Sequence, residues 1–167
     1  MKSILLFLSL LSPLLAFHSL SIPEYYNHSP SQFFGLEEVN QPIDVQNFNE
    51  ELLEAAIFYA TNEVRAAKKK DGFQYHRILN ISSRHHAEYL EEERLVDHIN
   101  RNSKDHRTPF DRAEAFNGDF KAIAENLARL PLLDLDKNGE FFVDSEGRFV
   151  NRQRQPIAIM SYARLAR

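Results

Sequence analysis

Apolar residues return with a helical period in one long stretch of this chain. Leu53, Ala56, Ile57, Ala60 and Val64 fall at i, i+3, i+4, i+7 and i+11, with Leu52 beside them, and that spacing gathers side chains on one face of an α-helix. Asn49 stands where a cap accepts from the first free amides. Lys68, Lys69 and Lys70, followed by Asp71-Gly72, suit the negative end of a helix dipole and a glycine stop. The pattern predicts an amphipathic helix of about five to six turns starting after Asn49. The lysines read as dipole compensation on a wet face rather than as a binding site.

Further along, residues 73–79 alternate loosely and predict a short extended piece, after which Asn80 can cap a second helix running to about Arg94. Ala87 and Leu90 mark its apolar side, Glu91, Glu92 and Glu93 face water, and Leu95 closes its end. Thr108-Pro109, a cap followed by proline at the first helical position, opens a third helix through Phe110, Ala113 and Phe116 to Asn117-Gly118. Residues 123–130 form a short, mostly apolar segment bounded by Pro131. Two turn signals, Lys137-Asn138-Gly139 and Asp144-Ser145-Glu146-Gly147, frame Phe141, Phe142 and Val143, with Phe149 and Val150 after them, and predict a hairpin. Ser161 caps a last short helix carrying Tyr162, Leu165 and Ala166, marginal on its own at under two turns.

The first residues change the picture from a plain globular chain to an exported one. Lys2 precedes a mostly apolar run over residues 4–15, too short to span a bilayer, and small residues follow. Residues 1–21 therefore read as a signal peptide, with cleavage after residue 16 or 21. Residues 22–47, rich in Pro, Ser and Asn, show no period and read as an extended arm. Its aromatics, Tyr25, Tyr26, Phe33 and Phe34, clip it to the domain surface on one reading, and it is a disordered linker on the other. Residues 48–167 make one domain. A net charge of −4 gives no reason to expect nucleic acid or an acidic membrane as partner. No later segment is long and apolar enough for a transmembrane span. The chain has no cysteine, so an exported domain must here do without disulfides and without a lipid-modified cysteine.

Candidate chemistry is sparse. There is no serine nucleophile elbow, no phosphate-binding glycine loop and no His-Glu-x-x-His helix. Asp134-x-Asp136-x-Asn138-Gly139 copies the first half of a calcium loop, but position twelve is Ser145 where a bidentate Glu belongs, so a plain turn is the simpler reading. His85 and His86 are adjacent on a helix, about 100° apart, and do not share a metal easily. His98 lies in a polar stretch after the second helix, where a side chain can turn into a cleft. Glu125 sits inside an apolar run and needs a partner. From spacing alone, a satisfied salt bridge is the plainer account of that pair.

Taken in order, Phe48-Asn49-Glu50-Glu51-Leu52-Leu53, Asn62-Glu63-x-Arg65, Arg84-His85-His86-Ala87-Glu88-Tyr89-Leu90, Asp97-His98, Thr108-Pro109-Phe110-Asp111-Arg112-Ala113 and Ala124-Glu125-Asn126-Leu127-Ala128 resemble the CAP superfamily. That superfamily takes in SCP-like extracellular proteins, antigen 5 and plant pathogenesis-related proteins. The resemblance implies an α/β fold: a helix-rich α-β-α sandwich with a cleft lined by two histidines and two acids, where some members hold a divalent metal such as zinc. His98 matches the first histidine, the candidate metal ligand, and Glu125 the acid of a Gly-Glu-Asn motif whose glycine is here Ala124. Residues 161–166 look like the start of the helix leading to the second histidine, so the C-terminal strands and that histidine are expected to be missing and the domain incomplete. The function implied is a secreted ligand-binding or interaction module with an extracellular ligand or protein partner. The alternatives are a metal-assisted hydrolase using His98 and Glu125, whose second histidine lies beyond this chain, and a fragment without function.

Overall fold

The computed structural model describes residues 22–135 and 139–167. The signal-peptide segment, and Asp136 and Asn138 of the calcium-like turn, lie outside the described residues. A 3-10 turn (Glu24–Asn27) leads into α1 (Pro30–Phe33) and α2 (Glu37–Asn40). Then come α3 (Glu50–Ala67), α4 (Arg77–Glu92), α5 (Pro109–Ala115), β1 (Phe142–Val143), β2 (Phe149–Val150) and α6 (Tyr162–Ala166). The architecture is helix-rich with a small sheet, a mixed α/β class at the coarse level.

The long helix begins as its cap predicts, with the Asn49 side chain accepting from the Leu52 amide at 3.0 Å. Its buried stripe is rotated from the expected one. Leu52, Ala55, Ala56, Tyr59 and Ala60 face the core, while Ile57 and Val64 are 50% and 62% exposed. The reason is Tyr59, whose ring is apolar enough to lead the stripe while its hydroxyl remains satisfied, bonded to the carbonyls of His28 and Tyr25 at 2.8 and 2.9 Å.

Those carbonyls belong to the segment read as an extended arm, and that reading is corrected here. Residues 22–47 fold into three short helical pieces whose Phe33, Phe34, Val39 and Ile43 are buried against α3 and α6. Four-residue helices are too short to leave a period in the sequence, so composition dominated the reading. The local signal is Ser29-Pro30 with Gln32, a capping box with proline at N1. Phe33 is 0% exposed, stacks on Tyr59 with ring centroids 4.6 Å apart, and meets Phe34 and Tyr25 edge-on. The C-terminal segment closes this core. Tyr162 Oη accepts from the Asn49 amide at 2.7 Å, and the Ile43 amide donates to the Met160 carbonyl at 2.9 Å. Tertiary packing thus stabilises α6, which is too short to persist alone.

α4 starts four residues earlier than a cap at Asn80 predicts, at Arg77 with His76 in the cap position. Asn80 lies inside it, donating to Glu54 of α3 at 2.8 Å instead of capping. Its buried face is Ser82, His86 and Tyr89, and Ala87 is exposed. Glu54 also receives two bonds from Arg84, each 2.9 Å, which ties α4 to α3. α5 carries the predicted cap as a full box: Thr108 and Asp111 exchange backbone and side-chain bonds, and Asn117 ends it with φ 63°. The hairpin forms between Phe142↔Val150 and Val143↔Phe149, turning at Gly147 with φ 79° while Asp144 accepts from the amides of Glu146 and Arg148. No helix among the described residues is long and apolar enough to cross a membrane.

Candidate functional site

The loop after α4 is held by polar groups on the buried side of that helix. His86 is fully buried, and its Nε2 lies 2.8 Å from the Asp97 carbonyl, which can only accept, so Nε2 carries the proton. Tyr89 Oη accepts from the Arg101 amide at 3.2 Å, and the Asn100 amide donates to the Arg107 carbonyl at 2.8 Å. His98 is thereby fixed at the start of a closed loop rather than on a free end.

α5 supplies the residue that sequence reasoning missed. Arg112 is 0% exposed, and its Nη1 lies 3.2, 3.3 and 3.3 Å from the carbonyls of His98, His106 and Arg107. Its Nη2 donates to Glu125 Oε1 at 2.6 Å, and the other oxygen, Oε2, is 2.8 Å from His98 Nδ1. His98 and Glu125, 27 residues apart, are thus brought together, with Arg112 behind them. An ionised carboxylate only accepts, so the neutral His98 ring carries its proton on Nδ1 and leaves Nε2 as a lone-pair donor. The His98 side chain is 54% exposed and that of Glu125 14%, so imidazole faces solvent and carboxylate faces the interior.

His85 and His86 diverge, as their adjacency predicts. The His85 ring stacks on His106 at 4.3 Å and meets the edge of Phe116, whereas His86 stacks on Tyr89. Burial pushes both imidazoles below the ordinary value, with His106 adding to the effect on His85 and Arg112 to that on His86. A cavity of about 350 Å³ lies beside His85, lined by Asn80, Ile81, Arg84, Glu88 and Phe116. Neither His98 nor Glu125 lines it. Asp134, from the calcium-like turn, is engaged by Arg164 at 2.6 Å.

The donor set falls short of the divalent metal that the CAP resemblance implies. Among the described residues no three His, Cys, Asp or Glu groups converge. Glu125 already accepts from Arg112 and His98, so the pair offers at most His98 Nε2 and one further oxygen lone pair where a catalytic zinc takes three protein ligands. The residues present do not fit a zinc site.

No family model, no curated protein and no solved structure matches this chain.

Proposed function

We propose that this chain is an exported domain of CAP type that works as an extracellular ligand-binding or interaction module, with His98 as its contact residue. The observation that carries the reading is the 2.8 Å approach of His98 Nδ1 to Glu125, across segments that the resemblance pairs at one cleft. The order of parts supports it too: a capped long helix, a second helix leading to His98, a Thr108-Pro109 cap, and then Glu125. Export rests on residues 1–21, with their lysine, short apolar run and small residues. The α-β-α sandwich belongs to the same proposal.

The hydrolase reading draws less from the geometry. A general base must reach the proton that it takes, and Glu125 faces the interior at 14% exposure with each oxygen already accepting one hydrogen bond, from Arg112 and from His98. The atom placed to accept a proton is His98 Nε2.

Recovery of the protein from the medium of its own cells, lacking 16 or 21 N-terminal residues by intact mass, is the expected result for export. Retention inside the cell at full mass overturns it. For binding, the secreted chain is titrated with a set of small alcohols and primary amines while the His98 ring resonances are followed. Saturable shifts centred on His98 and lost in His98→Ala are expected, and equal shifts in the two proteins overturn the assignment.

A further inference from the structure

The geometry points to Arg112 as the positioning residue of this site: it turns Glu125 so that one oxygen faces His98 Nδ1, and thereby selects the tautomer that presents Nε2 outward. This deepens the proposed function, and rests on it only for the use to which Nε2 is put. A guanidinium has five donors and no acceptor, so whatever faces Arg112 must be a lone pair. It finds carbonyls at His98, His106 and Arg107 and one oxygen of Glu125. One group therefore fixes both members of the pair, His98 through its backbone and Glu125 through its carboxylate. It does so from full burial, where its planar fork cannot reorient without breaking several bonds. The second carboxylate oxygen has no comparable freedom either. With Oε1 held at 2.6 Å, Oε2 is aimed at the imidazole 2.8 Å away. The hydrogen bond made by one ring nitrogen decides which nitrogen carries the proton.

The consequence is a chemical class for the ligand. A fixed Nε2 lone pair takes a group that donates a hydrogen bond, such as a hydroxyl or an ammonium. It rejects a carboxylate or carbonyl, which would set lone pair against lone pair. Without the constraint, His98 would exchange tautomers and accept either.

The test reads the tautomer directly, by imidazole ¹⁵N resonances of the full labelled chain at a pH where the ring is neutral, with neither ligand nor metal present. In the wild type the pyridine-type resonance belongs to Nε2; finding it on Nδ1 overturns the inference. Glu125→Gln is the decisive variant because it is nearly isosteric. Arg112 requires the amide oxygen, so the amide nitrogen must face His98, and an N–H cannot accept from another N–H. The His98 proton must move to Nε2, and the two ¹⁵N positions exchange. Should Arg112 have no hold, the Gln oxygen turns to His98, the tautomer is unchanged, and the inference fails. Where Glu125→Gln does not give a folded spectrum, Arg112→Lys is read instead. Its single ammonium cannot span four acceptors, so a mixture of tautomers is expected, and an unchanged His98 spectrum in a folded protein overturns the role. Because no ligand is present, either failure leaves the titration with alcohols and amines standing on its own.

Discussion

Around α3 the molecule buries rings and aliphatic chains; around α4 and α5 it buries polar groups. The first region packs Phe33, Val39, Ile43, Leu52, Tyr59 and Tyr162 together, with its few hydroxyls answered by backbone atoms. The second buries Ser82, His86, Asn100 and Arg112, with Tyr89 and Ala113 as its buried apolar members. The difference matters because the two kinds of core do different things. Apolar packing is non-directional and supplies most of the stability. A buried ion pair returns little net stability after desolvation, yet its bonds demand particular angles. The site lies in the second kind of core, where orientation is specified at some cost, and it leans on the first through the Glu54 links to Arg84 and Asn80.

The largest expected effect tests the first core. Phe33→Ala removes a fully buried ring that stacks on Tyr59 and empties the centre of the cluster. Destabilisation of about 4 kcal/mol is expected by urea unfolding. A loss under about 1 kcal/mol would mean that residues 22–47 are not part of the core, and the comparison would collapse.

Next is Arg112→Met, which leaves Glu125 without its main partner and takes a donor from the carbonyls of His98, His106 and Arg107, of which Arg107 keeps the Asn100 amide. About 3 kcal/mol is expected to be lost. The sharper measurement is the double variant Arg112→Met with Glu125→Leu. If the polar core specifies orientation rather than supplying stability, the double variant recovers to within about 1 kcal/mol of the wild type. A double variant as unstable as the single one would show that the pair does stabilise the fold.

The same contrast explains what could be read in advance. The long helix, its Asn49 cap, the Thr108-Pro109 start, the hairpin and the Ser161 cap were all legible, because each is a local pattern of period, cap or turn. The arm was not, since α1 and α2 are single turns whose burial depends on α3 arriving beside them. The stripe of α3 was misplaced because Tyr59 was left out of the apolar set and Ile57 and Val64 were put in. His98, in a polar stretch, and Glu125, inside an apolar run that leaves it in need of a partner, could be singled out from their surroundings, and a hydrogen bond joins them. Arg112 could not, because an arginine in a helix reads as solvent-facing and only the three-dimensional meeting of four acceptors explains its burial.

The smallest effect is a slope rather than a loss, and it sits in the polar core. His86 and His85 both have imidazoles held below the ordinary 6.5, chiefly by burial. The folded state therefore binds fewer protons than the unfolded chain as pH falls through that value, and stability falls with it. Their contribution is fully present above pH 6.5 and is lost on the acid side, toward the lower folded values. Asp97 and Asp111 have carboxyls held below their ordinary 3.8 by hydrogen bonds to backbone amides and to Arg101 or Thr108, so their own contribution is lost only at more acid pH. The melting temperature is expected to hold above about pH 7 and to decline from there toward about pH 5. His86→Gln, which can still donate to the Asp97 carbonyl without acquiring a proton, should flatten part of that decline, with His85 keeping the rest. An identical slope in His86→Gln would place the acid sensitivity outside this core, and the polar half of the molecule would then be no more dependent on protonation than the apolar one.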